Sequence, residues 1–96
     1  MPGANGLIEG QELLDAVMGL PGWGLESGEL VRRATFKDFA AAMALVNRVA
    51  ETAEAANHHP DIDIRYNRVR LALVSHDVGG ITARDVAMAA QLTGLF

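Results

Sequence analysis

The stretch from Asp61 to Val74 constrains the fold more than any other part of the chain. Ile62, Ile64 and Tyr66 alternate with Asp61, Asp63 and Arg65; beyond Asn67-Arg68, Val69, Leu71 and Leu73 alternate with Arg70, Ala72 and Val74. A period of two is the mark of a strand with one buried face. A two-residue turn at Asn67-Arg68 pairs Tyr66 with Val69, Ile64 with Leu71 and Ile62 with Leu73, which puts all six apolar side chains on one face of a hairpin. The same register sets Arg65 opposite Arg70, a mildly unfavourable pair unless Asp63 lies diagonally between them. Extended outward, it brings His76 across from His59 on the face opposite the apolar one.

The remaining segments supply partners for this hairpin. Residues 1–6 read as a flexible lead. From Leu7 to Leu20 the positions Leu13, Leu14, Val17, Met18 and Leu20 recur at helical spacing, and Pro21-Gly22 ends the segment. Trp23 and Leu25 open a short strand, Glu26-Ser27-Gly28 is turn chemistry, and Leu30 to Phe36 returns as a second strand. Thr35 with Asp38 three residues later reads as the N-terminal cap of a long helix with Phe39, Met43, Val46 and Val49 or Ala50 on its apolar face. Phe36, Phe39 and Met43 are expected in the core, and Trp23 in the core or as a lid on it. The helix must stop near Asn57, because Pro60 disfavours helical geometry at His59. Thr82-x-x-Asp85 caps a last helix carrying Val86, Met88, Ala89 and Leu92. The order α-β-β-α-β-β-α implies an α+β fold, one four-stranded antiparallel sheet with helices on one face. At 96 residues the whole chain, 1–96, fits one domain.

Composition removes several function classes. There is no cysteine, so neither a disulfide framework nor thiol chemistry is available, and a reducing compartment suits the chain. The formal net charge is -4, and the nearest thing to a basic face, Arg65, Arg68 and Arg70, is offset by Asp61, Asp63 and Asp77 in the same stretch. It reads as a solvated strand face, so no nucleic-acid partner is expected. Residues 1–10 lack the positive start and apolar run of a signal peptide, and no apolar run is long enough to cross a bilayer. A cytoplasmic protein with no membrane partner is the expectation.

All three histidines lie between positions 58 and 76. Glu54 precedes His58 by one helical turn, so the two share a helix side. His59 follows where the helix breaks, and His76 closes the second hairpin strand. Imidazoles titrate near neutrality, so such a cluster can supply an acid and a base together. Against this stands the plainer possibility that His58 and His59 complement the negative end of the helix dipole. Asp85 reads first as a helix cap. A metal site of Glu54, His58 and His76 is the sharp rival, but no HExxH-type spacing fixes the ligands and adjacent His58 and His59 diverge in direction; no metal is expected.

Several motifs carry a resemblance: Glu54-x-x-x-His58-His59-Pro60, Tyr66-Asn67-x-Val69, Ser75-His76-Asp77, Gly80-Ile81-Thr82-x-x-Asp85, and upstream Gly22-Trp23 and Phe36-Lys37-Asp38-Phe39. Together they resemble the signature of the pterin-4a-carbinolamine dehydratase family over nearly the whole chain. The resemblance implies a carbon–oxygen hydro-lyase that turns 4a-hydroxytetrahydropterin, as its tetrahydrobiopterin form, into quinonoid dihydropterin without metal or organic cofactor. It carries over His58, His59 and His76 as the active-site histidines; among them we assign His58 and His76 as the proton-transfer pair, with His59 chiefly orienting the pterin. Glu54, Asn57, Ile62, Ser75 and Asp85 are expected to bind or orient, Glu54 by a hydrogen bond to His58. The chain departs from the family's pattern at Asn57, often acidic in members, and at Ile62 and Asp63, where many have aromatic residues; this touches substrate affinity or identity more than proton chemistry. The resemblance also implies a homodimer or homotetramer. A non-catalytic module of the same fold, binding a pterin or a protein partner, is the alternative.

Overall fold

A computed structural model describes residues 6–96. The lead expected over residues 1–6 therefore lies, apart from Gly6, outside the described residues. Helix α1 spans Gly10–Met18, strands β1 Trp23–Glu26 and β2 Glu29–Thr35 follow, then helix α2 Phe39–Ala56, strands β3 Asp61–Arg65 and β4 Arg68–Leu73, and helix α3 Ala83–Thr93. The strands form one antiparallel sheet in the order β1-β2-β4-β3. This is the expected α+β order.

The two hairpins close in two residues. Between β1 and β2, Ser27 and Gly28 both have positive φ, the left-handed geometry that keeps a tight turn in step with strand twist. Between β3 and β4 the turn is Tyr66-Asn67, one residue earlier than expected. Arg65 pairs with Arg68, Ile64 with Val69, Asp63 with Arg70 and Ile62 with Leu71. The expected pairs of Ile62 with Leu73, Ile64 with Leu71 and Tyr66 with Val69 are thus corrected by two positions, an even shift that keeps the alternation of the paired residues in phase, while Tyr66, expected on the apolar face, leaves the strand for the turn and is exposed. Two interactions account for it. Asp63 now faces Arg70 directly, while Arg65 faces Arg68 in place of Arg70 and pairs with Asp63 on its own strand. Asn67 is freed to anchor the turn, its Nδ2 donating to the Phe36 carbonyl at 2.7 Å while the Phe36 N–H donates to the Asn67 carbonyl at 2.8 Å. Strand pairing ends at Asp61 with Ala72, so His59 and His76 are not cross-strand partners.

Leu30, Val69, Leu71 and Leu73 of the sheet pack against Leu45 and Val49 of α2 and Met88 and Leu92 of α3. These eight side chains are all essentially excluded from water. Trp23 closes one end of this core, buried as expected, with Nε1 donating to Thr93 Oγ1 at 2.9 Å. The first helix starts at Gly10 rather than Leu7, because Leu7 bridges to Thr82 and the Ile8 N–H donates to the Ile81 carbonyl. Leu13 and Val17 of α1 reach the core, but Leu14 and Met18 face solvent. Phe39 is also exposed, at 50%, rather than core, and Phe36 and Met43 are half-buried. The reason is at the helix start: the N-cap is Asp38, whose Oδ1 accepts from the Ala41 N–H at 2.8 Å, and Thr35 is still the last residue of β2. The core side of α2 is carried by Ala42, Leu45, Val46, Val49 and Ala53.

Candidate active site

Helix α2 ends on a turn that sets the direction of the chain beyond it. Asn57 adopts the left-handed conformation at φ 52°; its N–H donates to the Glu54 carbonyl and the His58 N–H to the Ala53 carbonyl, both at 3.2 Å. This is a Schellman-type end, in which Asn is the side-chain-bearing residue that best tolerates positive φ. Asn57 therefore has a backbone duty, which gives a physical reason for an amide at that position. The turn aims His58 at the start of α3.

There His58 meets Asp85. His58 Nε2 lies 2.6 Å from Asp85 Oδ1, with the His58 side chain 14% exposed and Asp85 fully buried. The other carboxylate oxygen, Oδ2, accepts from Ser75 Oγ at 2.8 Å and from the Thr82 N–H at 2.9 Å. Asp85 thus receives donors from three parts of the fold: the end of α2, the segment after β4 and the first turn of α3. The expected capping box is present, since Asp85 sits at the third position of α3 and caps the Thr82 N–H. Capping and holding a histidine are not alternatives here; the two carboxylate oxygens divide the tasks. With Nε2 committed as donor to a carboxylate, Nδ1 is the His58 nitrogen left to exchange a proton.

His76 follows Ser75 in a tight loop. The Ser75 carbonyl accepts from the N–H groups of Val78, Gly79 and Gly80, and the Ser75 N–H donates back to the Gly80 carbonyl. Gly79, at φ 74°, supplies the left-handed residue this closure needs. The loop turns His76 and Asp77 outward, and both line an open cleft of about 300 Å³ with Asn57, His58, His59, Val74, Ser75 and Arg84. His58, His59 and His76 therefore border one cavity.

The other expected residues are placed differently. Glu54 does not hold His58; its Oε1 lies 3.6 Å from His59 Nε2 at the surface, with both side chains more than half exposed. The physical reason is the helix end: the left-handed turn at Asn57 sends His58 inward, away from the outer face that carries Glu54. Ile62 sits on the edge strand β3, paired with Leu71 and 38% exposed, and is not among the residues lining the cleft. Among the described residues no three His, Asp or Glu side chains converge where a metal ion would sit. Asp77 and Arg84 line the cleft without having been expected there. Arg84 Nη2 donates to Asp77 Oδ1 at 2.8 Å and Oδ2 at 3.1 Å. This hydrogen bond, reinforced by the charge of Arg84 and opposed by slight desolvation, holds the Asp77 carboxyl below the usual carboxylate range. No sequence spacing signals the pair, because a closed loop and a helix start bring it together.

Residues 7–95 match the protein family described as Pterin 4 alpha carbinolamine dehydratase. Relatives from Acidobacterium capsulatum and Thermomicrobium roseum, each named "Putative pterin-4-alpha-carbinolamine dehydratase", are 63% and 59% identical over 76 residues. That is 79% of this chain and 83% and 82% of theirs. The crystal structure of a transcriptional coactivator/pterin dehydratase from Brucella melitensis matches with a TM-score of 0.86 and 31% identity, over 92% of this chain and 96% of that one. A pterin dehydratase-like protein identified as a RuBisCO assembly factor in the alpha-carboxysome shares the fold at a TM-score of 0.61 and 23% identity, over 76% of this chain and 84% of that one.

Proposed function

Since the chain belongs to the pterin 4 alpha carbinolamine dehydratase family, we propose that it dehydrates 4a-hydroxytetrahydropterin to quinonoid dihydropterin by histidine acid–base catalysis. The observation that carries this reading is His58, held through Nε2 by a buried carboxylate and bordering a cleft with His59 and His76.

The reaction needs two proton transfers. The C4a–O bond breaks with its electron pair going to oxygen, and that oxygen takes a proton to leave as water. The N5–H bond gives its electrons to a new C4a=N5 bond, and its proton must be received. His58 is the base: Nδ1 takes the N5 proton, and the Asp85 carboxylate stabilises the imidazolium that results. His76, exposed and able to exchange with solvent, protonates the departing hydroxyl. Each such transfer contributes about 10²- to 10⁴-fold in rate. His59, positioned by Glu54 at the rim, orients the pterin. The cycle closes when His58 loses its proton to solvent and His76 regains one, so no cofactor is consumed.

The tetrahydrobiopterin form is the substrate to try first. Stopped-flow dehydration of chemically generated 4a-hydroxytetrahydropterin is the test; a folded protein that gives no acceleration over buffer refutes the catalytic reading. One observation favours a second reading, a pterin-binding module without turnover: among the described residues no phenylalanine, tyrosine or tryptophan lines the cleft to stack on a pterin ring. Equilibrium binding of a pterin without turnover in the same assay would support it. Self-association belongs to the proposal as well, because β1 and β3 are the two edges of the sheet and unpaired edges invite pairing. Light scattering of the purified protein gives the oligomer. Among the described residues no helix is long and apolar enough to cross a membrane.

A further inference from the structure

Behind His58 and Asp85 lies a chain of buried hydroxyls that the proton chemistry does not itself use. Ser75 is 1% exposed and Thr82 5%, and their hydroxyl oxygens are 2.8 Å apart. Each hydroxyl has a single proton to give. Ser75 gives its proton to Asp85 Oδ2, so the Ser75–Thr82 bond must run from the Thr82 hydroxyl to Ser75 Oγ. Thr82 Oγ1 in turn accepts from the Arg84 N–H at 3.3 Å. The direction is therefore set along the whole path: Arg84 N–H to Thr82, Thr82 to Ser75, Ser75 to Asp85, with Asp85 accepting from His58.

We propose that Ser75 and Thr82 are positioning residues for the dehydratase, a hydroxyl relay that holds the Asp85 carboxylate in the plane that keeps the His58 proton on Nε2. The proposal rests on His58 acting as the base through Nδ1. A carboxylate with one donor on Oδ1 and only the Thr82 N–H on Oδ2 could turn about its Cβ–Cγ bond. The Ser75 hydroxyl is the second contact on Oδ2, and it comes from a different element of the fold than Thr82 does, so the two fix the plane. If the carboxylate turns, the 2.6 Å bond to His58 lengthens, and the ring is then free to carry its proton on Nδ1, the nitrogen the reaction needs unprotonated. The relay also links the cap of α3 to the state of a histidine at the end of α2. Ser75 lines the cleft, but its hydroxyl proton is already given to Asp85, and Thr82 is buried behind it.

Ser75→Ala separates this role from helix capping, because the Thr82 N–H to Asp85 and Arg84 N–H to Thr82 bonds do not pass through Ser75. Two readouts on the purified protein are needed: nitrogen NMR of the His58 ring, which reports the tautomer without any substrate, and kcat against KM for dehydration. For Ser75→Ala the expected result is a His58 ring carrying its proton mainly on Nδ1 in place of the Nε2-protonated form, and a kcat lower by about tenfold with KM little changed, as about nine-tenths of the wrong tautomer would give. Thr82→Ser, which keeps cap and hydroxyl, should retain the wild-type tautomer and kcat. A folded Ser75→Ala protein with the wild-type tautomer and wild-type kcat overturns the proposal, as does a Thr82→Ser protein with the Nδ1-protonated tautomer. Failure of the catalytic reading would look different: no turnover in the wild type, with the NMR comparison still deciding whether the relay sets the tautomer.

Discussion

Replacing Asp85 by Asn changes one atom of a fully buried group and should silence the site while leaving the fold in place. The geometry decides how the amide sits. In one orientation the amide oxygen takes the place of Oδ2 and accepts from Ser75 and the Thr82 N–H, while the NH₂ faces His58 Nε2. In the other the NH₂ faces Ser75 and Thr82. A backbone N–H cannot change its role, so the second orientation leaves the Thr82 donor buried against another donor. That penalty is about 1–3 kcal/mol, a preference on the order of ten- to hundredfold for the first orientation. In the first, His58 resolves the conflict by moving its proton to Nδ1 and accepting at Nε2. The base is then lost, and kcat should fall by about 10³-fold, inside the range that general acid–base catalysis supplies. The same carboxylate-to-amide change behind a serine protease histidine costs about 10⁴-fold through the wrong tautomer. Stability should fall by about 2 kcal/mol, because hydrogen bonds to a charged acceptor are roughly twice as strong as neutral ones and three are affected. Stopped-flow dehydration reads the first effect and denaturant unfolding the second. A folded Asp85→Asn protein turning over within about threefold of the wild type would refute the assignment of His58 Nδ1 as the base, since a lost base costs at least about 10²-fold.

Three further outcomes are expected. Joint replacement of His58 and His76 by Ala should abolish turnover while circular dichroism stays that of the wild type; full activity in the double variant would remove both from the chemistry. Tyr66→Gly should raise stability by about 0.5 kcal/mol in denaturant unfolding, because relief of the positive φ at an exposed side chain, about 1–2 kcal/mol, outweighs the flexibility that Gly adds to the unfolded chain, about 0.5–1 kcal/mol. Acid should act on the Arg84–Asp77 pair with a definite sign. The folded-state value of Asp77 is lowered, first by the Arg84 hydrogen bond, so the pair's stabilisation is complete above the usual carboxylate range and is lost as pH falls through the lowered value. The stability gap between wild type and Arg84→Ala should therefore be level from neutrality down to about pH 5 and close below it. The gap is small because both side chains are exposed, and one that widened in acid would contradict the sign.

The alternation of Ile62, Ile64, Val69, Leu71 and Leu73 marked two strands and the face of β4 that enters the core, because a period of two puts every second side chain on one face. The histidines and the Thr82–Asp85 cap were equally visible, as they rest on residue type and short spacing. The turn position was not. Tyr66-Asn67 and Asn67-Arg68 are both two-residue turns, and the choice between them came from the bond of Asn67 to Phe36, thirty-one residues earlier. The partner of His58 was hidden for the same reason. One-turn spacing favoured Glu54, but the left-handed residue at Asn57 turns His58 off that face and onto Asp85, twenty-seven residues on. Local patterns encode periodicity, caps and helix ends, because those energies depend on neighbours in the chain. Which carboxylate holds which histidine depends on how a helix end, a loop and a helix start pack together, and only the tertiary structure decides that.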